Sequence, residues 1–591
     1  MKPKAKIKRP SPLNWHTLWG FAFLVSLFWS LQVAGVFQQD LVNLGGITLV
    51  WQFLKAAFSP NLSAEFLQLT VAATLKTLAF AVCGTSLSVL IGMVGGLLSS
   101  QVWWCAVAPN NYRIPWLIIR AGLAIPRSIH EVIWGLFFVN IFGLDPLVAI
   151  LAIAIPFGTI TAKVFSEILD ETPRQPLLAL LNSGVSPSKA FLYTLIPQAF
   201  LNLLSYTFYR FECSIRSAAV LGIIGAGGLG YQILLSLQAL RYQEMWTLLI
   251  ALVVLTGTTD LWSSILRRRL GAPSRLDLHV LATREQATGN RQQGRKFNLF
   301  LASVLVKFSA IAAIVLVVFS FWYIQADFSQ LLSSRSAHRL VSVWQESFPP
   351  DISQLRQLFT LSQQTLAMSI LAITLAGWGG ILLSFPAANN FLVQEGRRQK
   401  AGGRRQEAEG RRQEAEGRRE ISSEISLTPW WGMIVLVFSR LLLLFTRAVP
   451  EPIWALIFLF VLFPGILPGA IALGLHNLGI LGRLMAEVTE NLDQRPLRSL
   501  TALGATRTQV FLYGVLPRTL PRFLAYLLYR WEVCIRSTVI VGLVGAGGLG
   551  RLLTEQLTSF DYQGVLTTLI VFISLTFLVD LISAFVRRTL R

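Results

Sequence analysis

Long apolar stretches alternate with shorter polar ones along the whole chain. A stretch of about 18 or more apolar residues is long enough to cross the hydrocarbon core of a bilayer as a helix. Clear examples, with at most a few polar interruptions, are Leu18–Phe37, Leu147–Val164, Trp246–Leu266 and Phe297–Trp322. The pattern predicts an all-α polytopic membrane protein. For the first half we place spans near residues 17–37, 67–98, 114–143, 146–167, 195–222 and 244–266.

The chain contains two copies of one unit. Tyr209–Gly230 reads YRFECSIRSAAVLGIIGAGGLG and Tyr529–Gly550 reads YRWEVCIRSTVIVGLVGAGGLG, an offset of 320 residues. Upstream, Thr74-Leu75 aligns with Thr365-Leu366 at an offset of 291, so the second half carries 29 extra residues. Such a repeat predicts two tandem units of similar fold. We expect a first repeat at 1–270, a basic cytoplasmic linker at 271–296 and a second repeat at 297–591, each with about six helices.

The extra residues of the second half lie between positions 387 and 428. They include the seven-residue units EGRRQKA, GGRRQEA, EGRRQEA and EGRRE, from Glu395 to Glu420. A coiled coil needs apolar residues at two seam positions of each heptad, and these units lack them. The repeat therefore indicates a solvated, low-complexity insertion.

The placement of the charged residues supports the membrane prediction and indicates which side of the membrane the termini face. Only 14% of residues are charged and mean hydropathy is +0.58, whereas soluble domains carry about a quarter charged residues. The net charge is +21, but the basic residues follow or precede spans, as at Arg267–Arg269 and Arg587-Arg588. This positive-inside pattern predicts cytoplasmic N- and C-termini and makes nucleic acid an unexpected partner. The first apolar stretch is too long for a signal peptide, and no small-residue cleavage site follows Gln38.

No cofactor, metal or ATP site is expected from the sequence. The four cysteines form no CxxC pair, and the five histidines show no metal-ligand spacing. A GxxxxGK[ST] motif does not occur, so an energy source would be a separate protein and the chain is not expected to be an enzyme. The GAGGLG segments at 225–230 and 545–550 lie between membrane spans rather than in a βαβ unit. They predict close helix approach and a bend.

A polar segment follows the fourth span of each half. It reads RQPLLALLNSGVSPSKAFLYTLIP in one copy and QRPLRSLTALGATRTQVFLYGVLP in the other. A proline follows a glycine by 13 residues in both: Gly184 and Pro197, then Gly504 and Pro517. These segments resemble the coupling segment of bacterial ABC importer permeases, in which a short helix, a glycine turn and a second helix dock into the ATPase subunit. Leu178 and Arg498 stand where that family's pattern has its leading glutamate.

A narrower resemblance runs through nearly all of each half. The stretch IPRSIHEVIWGL and its copy TRAVPEPIWAL, the YR-x-E-x3-R segments and the terminal Asp-x6-Arg at Asp260–Arg267 and Asp580–Arg587 resemble permeases of phosphonate-type ABC importers. In fold those permeases resemble the permease of the methionine importer. That family normally has one such unit per chain and pairs two chains. The resemblance implies that the pair is fused here, so that no homodimer is required.

Charged residues also occur inside the apolar spans. A charge there costs about 2.5–3.5 kcal/mol on insertion scales and tends to face a bundle interior. Glu212 and Arg216 are four residues apart, a spacing that favours a pair on one helix face. The candidate pathway charges are Arg127, Glu131, Arg210, Glu212 and Arg216, with the copies Arg447, Glu451, Arg530, Glu532 and Arg536.

Two interpretations of these charges stay open. The Glu–Arg pairs either neutralise each other and lock helices together, or they line a pathway. Surplus arginines would bias such a pathway toward an oxyanion, because a guanidinium suits phosphonate-like groups. Arg120 has the alternative of extending to the cytoplasmic interface.

The resemblance implies a function and a set of partners. It predicts the permease of an ATP-driven importer for phosphonate or a related phosphorus oxyanion in the bacterial inner membrane. Its partners would be two ATP-binding ABC subunits, an extracytoplasmic solute-binding protein and membrane lipid. The alternatives are a methionine-type importer permease or an ion-driven secondary transporter with internal repeats.

Overall fold

The computed structural model describes residues 15–37, 41–107, 113–270, 298–388, 429–493 and 495–589. The basic N-terminus, the expected linker at 271–296 and the insertion from residue 389 to residue 428 lie outside the described residues. Within the described ranges the regular structure is helical, with one isolated antiparallel bridge between Val42 and Leu462. This confirms the all-α fold class.

The first half contains eleven helices among its described residues. In chain order they are α1 (Trp15–Val33), α2 (Leu44–Ala56), α3 (Ala64–Ser99), α4 (Gln101–Val107), α5 (Arg113–Ser128), α6 (Glu131–Phe142), α7 (Pro146–Glu171), α8 (Gln175–Asn182), α9 (Pro187–Leu221), α10 (Leu229–Gln238) and α11 (Tyr242–Leu270). A π-helical segment, Gly222–Ala226, continues α9.

The second half repeats this order. Its helices are α12 (Asn298–Ile324), α13 (Ser334–Glu346), α14 (Leu355–Ser384), α15 (Pro429–Ala448), α16 (Glu451–Val461), α17 (Ile466–Glu490), α18 (Arg495–Ala502), α19 (Leu516–Leu543), α20 (Gly548–Thr558) and α21 (Tyr562–Thr589). A 3-10 turn, Phe328–Leu332, precedes α13, and a helical turn Arg507–Gln509 with the π-helical Val510–Val515 precedes α19.

The described helices supply between seven and ten candidate spans, where the sequence predicted about six in each half. Seven described helices are long and apolar enough to cross a membrane, and three bent helix pairs raise the number to ten. The bent pairs are α5 with α6, α9 with α10, and α19 with α20. The described apolar parts of α1 and α12, Thr17–Val33 and Ile311–Ile324, are shorter than these, and they stand where the sequence predicts the first span of each half.

In the part of each half that precedes α15 and its counterpart, the two halves align at a different residue offset from the predicted one. The backbone N–H of Leu229 donates to Thr77 Oγ1 (2.8 Å), and that of Leu549 donates to Thr365 Oγ1 (2.9 Å). Since Leu229 and Leu549 are equivalent residues, Thr77 is the counterpart of Thr365. The offset is thus 288 rather than 291, and the pairing of Thr74 with Thr365 is wrong by three residues, about one helical turn.

The first helix of each half packs on the other half. α1 contacts α14, where Trp29 and Val33 join the core around Ala367 and Met368. In the same way α12 contacts α3 of the first half. The first helix of each half is therefore exchanged, in the sense that it packs against a helix of the other half.

The short helices α6 and α16 are exchanged as well. Ile133 of α6 lies in a second-half core with Leu549 and Phe572. Ile453 of α16 lies in the first-half core. Near the centre, the equivalent residues Val220 and Ile540 meet in one small core with Val132. The surface between the halves is therefore a packed apolar interface formed around α6, α9, α16 and α19.

Candidate functional site

The predicted helix–glycine–helix segments are present in both halves. α8 ends at Asn182, and Gly184 has a left-handed φ of +79° before α9 begins at Pro187. The N–H of Val185 donates to the carbonyl of Leu180 (3.1 Å) across this turn. Gly504 has φ +83°, and Ala505 donates to Leu500 at the same distance. Glycine is favoured at such a helix end because a β-carbon is strained at positive φ.

The two prolines of these segments occupy different settings. Pro197 lies inside the continuous helix α9. Pro517 lies in the first turn of α19, directly after the π-helical Val510–Val515. The second copy of the segment is therefore less regular than the first.

Each segment presents a matching apolar surface. Tyr193 and Tyr513, equivalent residues, are 73% and 75% exposed, and the preceding Leu192 and Leu512 are 59% and 46% exposed. On the opposite side of the first segment Leu177 is buried in the core beside Phe191. Each segment is thus anchored by one side and leaves a leucine–tyrosine pair uncovered.

The GAGGLG segments form bends between spans, as predicted. The helix pairs on either side of them are bent by 57° in the first half and 50° in the second. Gly225, Gly227 and Gly228 have positive φ. A β-carbon on Gly230 would come 1.7 Å from the carbonyl oxygen of Ala219, so the helices approach too closely for any other residue.

The intramembrane charges do not pair within their own helices. Glu212 pairs with Arg267 of α11 (3.6 Å), and Glu532 pairs with Arg587 of α21. Arg216 donates instead to Cys213 Sγ (3.3 Å). The predicted pairs Glu212–Arg216 and Glu532–Arg536 are therefore wrong. In the helix bundle, the guanidinium of an arginine on the neighbouring helix lies closer to each carboxylate than the guanidinium of the arginine four residues along the same helix.

Two clusters of charges result, one for each half. The first charge cluster comprises Glu212, Arg216, Asp260 and Arg267 of the first half with Arg447 of the second. Its Arg447 pairs with Asp260 and also lies within electrostatic range of Arg216 and Glu212. The second charge cluster is the equivalent set, Glu532, Arg536, Asp580 and Arg587 with Arg127 of the first half.

The second charge cluster has the same members but a different pairing. Here Asp580 pairs with Arg536 of its own half (3.4 Å). Arg127 is attracted by Asp580 and repelled by Arg536, yet among the described residues it has no hydrogen bond or ion pair. Counted by these five members, each cluster holds three arginines and two carboxylates and has one cation in excess; outside the five, Glu167 attracts Arg127 and Glu487 attracts Arg447.

The spacing of Arg127 and Glu131 also does not produce a pair. The chain breaks between α5 and α6 at this point, and the two helices are bent by 84°. Glu131 accepts from Ser217 Oγ (2.7 Å), and Glu451 lies 3.3 Å from His476 Nε2. The repeated spacings Arg127–Glu131 and Arg447–Glu451 therefore give no ion pair, since a helix break separates the arginine from the glutamate in each half.

Arg210 and Arg530 are held in unlike surroundings. The Arg210 guanidinium lies 4.7 Å from the centre of the Phe157 ring and donates to Tyr206 Oη (2.9 and 3.1 Å). Arg530 donates to the buried Asn477 Oδ1. The difference follows from the sequence, because Asn477 stands where the first half has Phe157.

Sequence reasoning missed several members of this site. Asp260 and Asp580 appeared only as part of a repeated Asp-x6-Arg motif, and that repetition was the signal that could have identified them. His476 and Asn477 have Pro156 and Phe157 as counterparts, so a search for repeated charges could not find them.

The chain matches the family of binding-protein-dependent transport system inner membrane components twice, over residues 106–272 and 430–591. These matches cover more than half of the chain, and the chain belongs to that family. It is a multi-pass permease of an inner-membrane ABC importer with two permease units in tandem, a transport component rather than an enzyme.

Several curated relatives are permeases for phosphorus compounds. The phosphate-import permease protein PhnE of Mycolicibacterium smegmatis is 26% identical over 518 residues, 87% of this chain and 84% of that protein. The phosphite transport system permease protein PtxC of Stutzerimonas stutzeri is 32% identical over 268 residues, 45% of this chain and 83% of that protein. A structure of the MetNI methionine ABC transporter is 23% identical over 35% of this chain and 98% of that chain, with a TM-score of 0.30.

Proposed function

We propose that the two halves form one translocation pathway for phosphonate or a related phosphorus oxyanion. The observation that carries this proposal is the excess arginine in both charge clusters. An uncompensated charge inside a membrane span costs about 2.5–3.5 kcal/mol on insertion scales. An anion passing between the halves would offset that cost. The guanidinium offers a planar fork of donors that matches phosphate-like oxygens.

The relatives support the same class of solute. Permeases named for phosphate and phosphite import align with this chain, one of them over 87% of its length. The arginines of both clusters therefore occur in a chain whose relatives import phosphorus oxyanions.

Energy would come from two ATPase subunits. One subunit would dock under the segment that contains Gly184 and Pro197, and the other under Gly504 and Pro517. The exposed Tyr193 and Tyr513 support this assignment, because exposed aromatic residues at an interface commonly contribute most to binding. Since both segments belong to one chain, a second copy of the permease is not required.

The remaining partners follow from the family. A soluble binding protein would deliver the solute on the extracytoplasmic side, and the N- and C-termini would lie in the cytoplasm. Closing of the ATPase subunits would move the halves against each other and switch the access of the pathway.

The proposal is tested by replacing the unpaired arginine. Arg127→Gln removes the excess cation of the second charge cluster and leaves the Asp580–Arg536 pair in place. We expect uptake of phosphite or methylphosphonate into proteoliposomes with the copurified ATPase and receptor to fall about tenfold or more, equivalent to about 1.4 kcal/mol. Membrane abundance should stay unchanged.

Arg551→Gln is the matched control. Arg551 is 60% exposed and, among the described residues, pairs with Glu555 on its own helix, so its loss should leave uptake unchanged. Normal uptake by the Arg127→Gln protein at normal abundance would contradict the proposed pathway.

A further inference from the structure

We propose that Asp260 and Asp580 exchange partners during transport. Each carboxylate alternates between an arginine of its own half and an arginine of the opposite half, and the exchange accompanies the movement of the halves. Asp260 has Arg216 and Arg447 as its two partners, and Asp580 has Arg536 and Arg127. The inference rests on the permease fold and on the geometry of the charge clusters. It does not depend on the identity of the solute.

The first observation is that the same aspartate is paired differently in the two clusters. Asp260 pairs with Arg447, which belongs to the opposite half. Asp580 pairs with Arg536, which belongs to its own half. Because the two clusters contain equivalent residues in equivalent helices, both arrangements are compatible with nearly the same surrounding structure.

The second observation is that each cluster keeps its unused arginine nearby. In the first charge cluster, the hydrogen bond that Arg216 makes among the described residues goes to Cys213 Sγ, a weak acceptor, and the like charge of Arg447 repels it. In the second, Arg127 has no bonded partner among the described residues but is attracted by Asp580. Arg127 is therefore available to Asp580 as an alternative partner, and Arg216 is the equivalent candidate for Asp260.

The remaining pair of each cluster is constant. Glu212 pairs with Arg267, and its equivalent Glu532 pairs with Arg587. These pairs join α9 to α11 and α19 to α21 within one half. The exchange that we propose concerns the aspartate and the two other arginines, and so one carboxylate in each cluster.

Energetic balance makes such an exchange possible. Leaving a buried charge without its partner costs about 3–5 kcal/mol, which applies to Asp260 with its side chain 14% exposed; Asp580 is 40% exposed and its cost is smaller. Exchanging one arginine for another keeps one ion pair and one excess cation, so the net cost is small. A modest bias from the ATPase subunits would then select one arrangement, as for any two-state element.

The exchange has a mechanical consequence. The Asp260–Arg447 pair ties α11 of the first half to α15 of the second, next to the break that leads into α16. When Asp260 turns to Arg216, this tie between the halves is lost and Arg447 is released. Arg447 keeps a buried Nε without a hydrogen bond among the described residues, which leaves it less firmly held than a fully bonded guanidinium.

The first experiment measures the distance between the halves in two states of the whole importer. All four native cysteines are replaced, a protease site is placed in the linker at 271–296, and a short bis-methanethiosulfonate reagent is applied to the complex. The cross-half pairs are Asp260→Cys with Arg447→Cys and Asp580→Cys with Arg127→Cys. Cross-linked chains remain joined after cleavage of the linker.

We expect the yield at both pairs to differ at least about fivefold between the nucleotide-free and the vanadate-trapped complex, the low end of typical coupling between sites. The control pair is Trp19→Cys with Thr589→Cys, whose native side chains are joined by a hydrogen bond (2.9 Å). Since α1 packs on the second half, this pair moves as one body and its yield should stay constant. A constant yield at either cross-half pair would overturn the proposal.

The second experiment tests whether the two arginines compete for one aspartate. Uptake is measured for Arg127→Gln, Arg536→Gln and the double variant, first with Asp580 and then in an Asp580→Asn background. The exchange predicts that the two arginine substitutions are non-additive by at least about fivefold with Asp580 present and additive without it. Permanent pairing of Asp580 with Arg536 alone would make them additive in both backgrounds and would refute the exchange. Copurification of the ATPase identifies variants that fold.

Discussion

At the scale of single residues, Glu212 and Glu532 each pair with an arginine of a neighbouring helix and not with the arginine four residues along their own helix. The repeat identified Glu212, Arg216 and their copies as intramembrane charges. Their partners depend on which helix lies alongside, and Arg267 forms its ion pair with Glu212 of α9. Within a bundle the i, i+4 contribution is only about 0.2–0.5 kcal/mol, too small to compete with a buried pair between helices.

The glycine turn of the coupling segment carries a residue-scale prediction. Gly184 has φ +79° and open space around the position of a β-carbon, so Gly184→Ala is strained but meets no clash. The left-handed conformation should cost about 1–2 kcal/mol. We expect the turn to shift and ATP-driven uptake to fall severalfold while membrane abundance is retained, measured in proteoliposomes.

Gly122→Ala is the matched control for that substitution. Gly122 lies inside α5, also has open space and needs no positive φ. Alanine should be neutral or slightly stabilising there. Equal uptake by the two variants would show that the turn geometry at Gly184 has no part in coupling.

At the scale of helices, the sequence predicted the number of spans better than their packing. The apolar stretches and the repeat were enough for about six spans in each half. The exchange of α1 and α12 was beyond prediction, because the lipid-facing side of a span is as apolar as its packed side. The three-residue error in the alignment of α3 with α14 has a similar cause. Both helices are apolar throughout, and a single Thr-Leu pair was used to align them.

The exposed tyrosines give a prediction at this scale. Replacing Tyr193 and Tyr513 by alanine removes the largest uncovered side chains of the two coupling segments. Interface hot spots cost more than about 1–2 kcal/mol when truncated to alanine. We therefore expect the amount of ATPase that copurifies to fall about fivefold or more for the double variant.

Trp378→Ala provides a comparison for the tyrosine variant. Trp378 is 66% exposed on the membrane-spanning α14, away from both coupling segments. Its loss should leave copurification of the ATPase unchanged. Full recovery of ATPase with the tyrosine double variant would exclude these side chains from the docking surface.

At the scale of the whole molecule, the two halves are similar copies that pack on each other through exchanged helices and differ in the pairing of Asp260 and Asp580. The 320-residue repeat was sufficient to predict a pseudo-symmetric arrangement. It could not reveal the different pairing of Asp260 and Asp580, because identical residues in equivalent places adopt either arrangement.

The exchanged helices predict that the halves assemble without a covalent link. We expect residues 1–280 and 281–591, coexpressed as separate chains, to copurify and to retain ATP-driven uptake. Removing residues 1–36 from the first of these chains removes α1 from its place against α14 and should lower copurification severalfold. Equal recovery with and without α1 would show that the exchanged helix contributes nothing to assembly.

The insertion of the second half gives another prediction. Deleting Glu395–Glu420 should leave uptake intact, because the first half functions without an equivalent segment. The check is uptake relative to membrane abundance, compared with the full chain. Loss of uptake at normal abundance would show that the repeat has a direct role.

The most direct measurement of the central claim is solute uptake by the reconstituted importer. The permease is purified with its copurifying ATPase and the soluble receptor, placed in proteoliposomes with ATP inside or outside, and offered labelled phosphite, methylphosphonate, phosphate or methionine. We predict saturable, ATP-dependent uptake of a phosphorus oxyanion, with methionine excluded. Uptake of methionine, or uptake driven by an ion gradient without ATP, would contradict the account.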